Sequence, residues 1–180
     1  MNNVVEQIQY DHISISRILL LLEQELVKLK TDVSVDYYFM LECMRYMIEY
    51  AEVVHHPKED VMMDCVYNKS EELDPVIDEI KFQHQSMGAT SGAFNESLKA
   101  VIAEQFVEKE AIVSQGLEFV RLQRNHIRLE EESLLRKLKK LLTPEDIEAI
   151  NKRYEGVIDP QLSDDFEEQF GRLYQSLLGA

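Results

Sequence analysis

The sequence predicts an all-α protein: an up-down-up-down four-helix bundle over residues 1–142, followed by two short C-terminal helices over residues 143–180. Three observations carry that expectation. Only six Gly and four Pro occur in 180 residues, and Glu, Leu, Lys and Met are plentiful, a mix that favours helix over sheet. Four long segments carry apolar residues at steps of four and three, the spacing of one buried helical face. Short polar breaks separate these segments, which places neighbouring helices antiparallel in one bundle.

The first seam runs Ile8, His12, Ile15, Leu19, Leu22, Leu26, Leu29. Lys30-Thr31-Asp32 breaks it, and Ser34 is the expected N-cap of the second helix. The second seam runs Leu41, Met44, Ile48, Ala51, His55, Glu59, Met62, Val66. Pro57 lies inside this helix, removes the donor to the Val53 carbonyl and should bend the helix there. After a turn at Asn68-Lys69-Ser70, the third seam runs Leu73, Ile77, Ile80, His84, Met87, Ser91, Phe94, Leu98, Val101. The fourth is less regular, but Ile112, Phe119, Leu122, His126, Glu130, Leu134, Leu138 and Leu141 keep one face.

Thr143-Pro144-Glu145-Asp146 reads as a helix start, with Thr as N-cap, Pro at the first helical position and acids in the first turn. That helix should end before Gly156. Asp159-Pro160 breaks the chain again, and Ser163 is the expected cap of a last amphipathic helix carrying Phe166, Phe170, Leu173, Tyr174 and Leu177. These C-terminal helices are expected to pack on the bundle or to form a homodimer contact.

A net charge of −15 excludes the basic stripe that a phosphate backbone requires and is repelled by an anionic membrane surface. No run of apolar residues reaches the length of a membrane span, and the N-terminus lacks the basic and apolar regions of a signal peptide. Cys43 and Cys65 sit 22 residues apart on one expected helix, roughly 33 Å at about 1.5 Å per residue, so they cannot pair. Reduced thiols fit a cytoplasmic location.

Polar residues interrupt the seams: His12, His55, Glu59, His84, His126 and Glu130. A buried carboxylate or imidazole without a partner is costly, so six on four inward faces need a common cause. Their heights agree. With turns near residues 33, 70 and 105, His12 lies 21 residues before the first turn and His55 lies 22 after it. The midpoint of His55 and Glu59 lies 13 before the second turn and His84 lies 14 after it. His84 and His126 are each 21 from the third turn. One residue of mismatch is about 1.5 Å, so all four helices present polar groups at one level.

His55/Glu59 and His126/Glu130 are i, i+4 pairs, which stack on one helical face. Imidazole with carboxylate suits iron, manganese or zinc, and the absence of Cys disfavours a thiolate site. Each glutamate has two oxygens and can bridge two ions. His56 has a rival i, i+4 partner in Asp60, but its own seam is mostly polar, so it is expected at the edge of the site, as an extra ligand or an outer group. Glu131 and Glu132 are expected in solvent. Tyr10 is the one nearby residue that suggests acid-base work.

These residues resemble the hemerythrin-like family, in the branch of HHE cation-binding domains. The likeness rests on His12 in Tyr-Asp-His-Ile, the stretch His55-His56-Pro-Lys-Glu59-Asp60, His84 in Phe-Gln-His-Gln, and His126-Ile-Arg-Leu-Glu130. It implies a non-haem di-iron centre in a bundle, with Glu59 and Glu130 bridging and the histidines terminal. It also implies a small diatomic ligand or peroxide as partner: dioxygen or iron sensing, nitric oxide or peroxide chemistry, or repair of iron centres. Two departures from the oxygen carriers bear on function. Gly88 stands where the carriers have a second histidine on the third helix, and the last pair is His126-x-x-x-Glu130 rather than His-x-x-x-x-Asp. The iron held by His84 and His126 is therefore expected to keep an exchangeable position unless His56 fills it.

Overall fold

The computed structural model describes residues 4–157 and 159–178; residues 1–3 of the expected bundle lie outside them. Four helical rods form the body, and no strand occurs among the described residues. α1 spans Val4–Lys30. The second rod is α2 (Tyr37–Tyr46), a π-helical stretch Met47–His55 and α3 (His56–Val66). α4 spans Asp74–Ile102. The fourth rod is α5 (Lys109–Leu129), a π-helical stretch Glu130–Leu134 and α6 (Leu135–Leu141). α7 (Pro144–Arg153), a 3₁₀ turn (Pro160–Leu162), α8 (Phe166–Gln169) and α9 (Gly171–Leu178) complete the chain.

Two local expectations are corrected. Asp36, not Ser34, caps the second rod: its carboxylate accepts the Phe39 N–H at 3.0 Å, while Ser34 stays exposed two residues outside. Glu25 fixes that start by accepting the Asp36 N–H at 3.1 Å. The last helix is not continuous. It breaks at Phe170 (φ −136°, ψ 54°) into α8 and α9, and Asp165 rather than Ser163 precedes α8. The break does not cost the apolar face: Phe166, Phe170 and Leu173 keep the four-and-three spacing and are buried in one apolar cluster. The capping box at Thr143 and Asp146 forms as the sequence predicts.

The apolar core falls into two clusters. One takes Ile15 to Leu29 of α1, the first half of the second rod, Phe94 and Leu98 of α4, and Ile112 to Val120 of α5. The other takes Val4 to Ile8, Met62 to Val66, Leu73 to Ile80 and Leu134 to Leu142. Each rod contributes one end to each cluster, and the ends alternate along the chain, as antiparallel neighbours require. The C-terminal residues join both: Ile150 enters the second cluster, and Phe166, Phe170 and Leu173 the first. Between the clusters lie the polar seam residues.

The first cluster also contains a close helix approach. A Cβ on Gly116 would meet Leu26 Cδ2 at 2.5 Å and Phe94 Cζ at 2.8 Å. Gly116→Ala is therefore expected to destabilise the protein by about 1–3 kcal/mol, as overpacking does, despite the better helix propensity of Ala. Denaturant unfolding checks this, and an unchanged midpoint would show that α1 and α4 yield freely.

Candidate metal centre

The polar residues meet at mid-height on the bundle axis. His12 comes from α1, His55 from the end of the first π-helical stretch, Glu59 and His56 from α3, His84 from α4, His126 from α5, and Glu130 from the start of the second π-helical stretch. His12, His55, His56, Glu59, His126 and Glu130 are buried, and the His84 side chain is 5% exposed.

Both wide turns adjoin the site. Pro57 cannot donate to a preceding carbonyl, and the chain widens immediately before it into the Met47–His55 stretch. That widening brings the consecutive residues His55 and His56 both inward. His56 is thus not at the edge: it is 4% exposed and stacks on His84, with ring centroids 4.3 Å apart and planes at 10°. It also lies edge-on to His126 at 5.2 Å.

The carboxylates are shared between two sets of imidazoles. Glu59 turns Oε1 to His12 Nε2 (3.3 Å) and His55 Nε2 (3.4 Å), and Oε2 to His84 Nε2 (3.6 Å). Glu130 turns Oε2 to His12 Nε2 (3.2 Å), and Oε1 to His84 Nε2 (3.6 Å) and His126 Nε2 (3.4 Å). Two clusters of donors result, His12-His55-Glu59 and His56-Glu59-His84-His126. Each could hold one ion, and Glu59 belongs to both.

The outward ring nitrogens are held in a closed circuit. Asp11 of α1 accepts from His55 Nδ1 (3.2 Å), and Asp60 of α3 from His84 Nδ1 (2.8 Å). Gln83 of α4 accepts from His126 Nδ1 (3.0 Å), and Glu131 of the fourth rod from His12 Nδ1 (2.8 Å). Each rod orients the histidine of the next. Such outer partners fix the tautomer and leave Nε2 as the inward lone pair. Sequence reasoning missed this circuit and placed Glu131 in solvent; instead it is tied to His12 and to Gln9 Nε2 (3.1 Å). The available signal was adjacency, since each outer acceptor immediately precedes or follows a seam residue. Glu132 is exposed as expected, and Tyr10 is 68% exposed, which removes it from the site's chemistry.

The inward atoms are free to hold a cation. His12 Nε2 and all four oxygens of Glu59 and Glu130 are buried without a hydrogen-bond partner. His84 Nε2 and His126 Nε2 face each other at 3.1 Å, although both rings already donate through Nδ1. Two donors about 2.1 Å from a shared ion, and about a right angle apart, are themselves about 3 Å apart. The distances here match that spacing, so the residues fit a metal pair.

Without metal, protons take its place. Burial opposes charge on His12, but Glu130, Glu131 and Glu59 outweigh it and hold its pKa well above the ordinary imidazole value. Burial likewise opposes charge on His84, yet Asp60 and Glu130 raise it to about 9. Burial and the neighbouring imidazoles push His56 well down, and burial lowers His126. Burial pushes the Glu130 carboxyl up, but His126, His12 and His84 hold it well below the usual range.

Gly88 is exposed, and a Cβ there would meet only Glu52 Oε2, at 3.8 Å. The third imidazole beside His84 and His126 comes from His56 rather than from α4. No helix among the described residues is long and apolar enough to cross a membrane. Comparison with curated proteins and with solved structures found no match. The family model of the hemerythrin HHE cation-binding domain matches residues 3–138, every residue of the centre falls within that span, and the chain belongs to this cation-binding family.

Proposed function

We propose that the centre binds two non-haem irons and that the protein binds, senses or processes dioxygen, nitric oxide or peroxide there. The observation that carries this reading is the division of each glutamate's oxygens between two imidazole sets, the arrangement a bridging carboxylate needs. Manganese and zinc share the donor preference. When bound, an iron pair supplies redox chemistry and an open coordination position for a small ligand.

The residues themselves indicate where that position lies. One set offers three imidazoles and the other two, His12 and His55. The expected opening beside His84 and His126 is therefore moved to the His12 side. A cleft between α1 and the fourth rod reaches His12 and is lined mainly by apolar groups, among them Ile13, Leu20 and Ile127. Such a lining suits an uncharged diatomic molecule.

Metal analysis and an optical spectrum test the reading. Protein from iron-supplemented cells should carry about two irons per chain, and azide or nitric oxide should change its charge-transfer bands. Purification without metal under those conditions would sink the proposal. His56→Ala should weaken one ion at least about tenfold in a chelator titration, leave the other unchanged, and add a second azide-binding event; one unaltered azide isotherm would argue that His56 only packs.

An enzyme using the same centre, of oxidase, peroxidase or iron-centre repair type, is the second reading. Glu52 favours it. This carboxyl lies one turn before His56, burial raises its pKa against a Ser91 hydrogen bond, and its Oε1 is buried without a partner. It is a group able to hold a proton one turn along the rod from His56. The iron-loaded protein should then turn over peroxide, and Glu52→Gln should slow that turnover without changing metal content; no turnover by wild type would sink this second reading.

A further inference from the structure

Asp159 lies outside the family-matched residues, in the turn between α7 and the 3₁₀ helix, yet it is only 2% exposed. Its Oδ1 accepts the Gln161 N–H at 2.9 Å, an ordinary local turn contact. The same oxygen accepts the Tyr46 hydroxyl at 2.7 Å, inside the bundle, and Ser14 also hydrogen-bonds to this carboxylate. The Tyr46 ring packs against Tyr50, with centroids 5.6 Å apart. Tyr50 hydrogen-bonds to Asp11, and Asp11 accepts from His55 Nδ1 at 3.2 Å. The Tyr50 ring stands 6.5 Å from that of His55.

Anchoring of the C-terminal segment does not account for this arrangement. An Asn would make the same turn without carrying charge into the core. Here a second carboxylate is taken up near Asp11, itself 2% exposed, and burial and Asp11 both raise its pKa. Burying such a group is costly unless its charge or its bonds are used.

We propose that Asp159 is a positioning residue for the His12/His55 side of the metal centre, acting through Tyr46, Tyr50 and Asp11 on the orientation of His55. The inference rests on the metal-pair reading above. Asp159 fixes the Tyr46 ring, that ring sets Tyr50, and the Tyr50 hydroxyl holds the Asp11 carboxylate against His55 Nδ1. His55 then keeps Nε2 aimed at Glu59. The C-terminal segment thereby contributes to a centre whose ligands all belong to the bundle. The other ion is outside this chain of contacts, since His84 and His126 are oriented by Asp60 and Gln83.

Cobalt(II) is the probe, added to the full-length metal-free protein and withdrawn with a chelator. Wild type should release two ions in separable phases. Asp159→Asn and Tyr50→Phe should each speed one phase about tenfold, the scale of a lost outer partner, and alter the cobalt ligand-field bands of that ion alone. Asp60→Asn should speed the other phase and so assign the two. Tyr50→Phe keeps the ring, so it decides the matter even where Asp159→Asn does not fold. Wild-type release rates and bands in Tyr50→Phe overturn the proposal, as they do in a folded Asp159→Asn that only melts earlier. No cobalt uptake by wild type overturns the metal-pair reading itself, and the proposal with it.

Discussion

Glu59→Ala is expected to retain less than one metal ion per chain under conditions where the wild type retains about two, while keeping its helical circular dichroism. Glu59 belongs to both donor sets, with Oε1 toward His12 and His55 and Oε2 toward His84. Its loss removes a donor from both ions together. An outer-shell partner alone is worth 10- to 100-fold in affinity, so an inner donor shared by two ions should cost at least about a hundredfold. The fold should persist because the two apolar clusters lie on either side of the site and keep every leucine seam. Glu59→Gln separates packing from charge: it preserves volume and should lose metal almost as severely. Unchanged metal content in both variants would mean that Glu59 does not bridge. Asp60 is poorly placed to replace it, because its carboxylate is engaged with the outward nitrogen of His84 at 2.8 Å.

The bundle was legible because its signal is repetitive. Steps of four and three recur in each seam, and seam residues such as Ile8, Leu19, Ile77, Phe94 and Leu138 are all buried. The level of the site was legible too, because the rods are joined by short turns and residue counts from a turn translate directly into height. What the seams could not reveal was local widening. On an α-helix, successive steps of four drift by about 40° each. The run His126, Glu130, Leu134, Leu138 holds one face only because the helix opens into a π-helical stretch at Glu130–Leu134, whereas Leu122 is half-buried outside both clusters and Gln123 takes the buried place beside it. The irregularity of that seam was the trace of it. On the second rod the same effect hid His56, whose α-helical neighbours on that face, Glu52 and Asp60, are polar; only Pro57 hinted that the face would turn. The outer circuit escaped for another reason. Asp11, Asp60, Gln83 and Glu131 bond across to a different rod, and single-helix periodicity carries no information on such pairs.

The metal-free and metal-loaded proteins should respond to pH in opposite senses. In the metal-free centre, the carboxylates around His12 and His84 raise both pKa values against burial, that of His84 to about 9. A raised group binds its proton more tightly in the folded state. Its stabilisation is complete below the unfolded value of about 6.5 and is lost as pH rises through about 9. His56 and His126 are lowered by burial, so they weaken the fold only as pH falls below about 6.5, where the unfolded chain takes up protons that the fold excludes. The centre therefore contributes most to metal-free stability near pH 6.5 and progressively less toward pH 9. Metal must displace the protons of His12 and His84, so its affinity should climb across the same interval, by up to about a hundredfold per pH unit where two protons leave. The gap in melting temperature between zinc-loaded and metal-free protein should accordingly widen from pH 6.5 to 9 and close below about pH 6, where protons win the imidazoles. Calorimetric binding in two buffers of different ionisation enthalpy should show about two protons released per chain at pH 7.5. A gap that stays constant from pH 6 to 9, or metal fully retained at pH 4, would show that these histidines do not bind the ions.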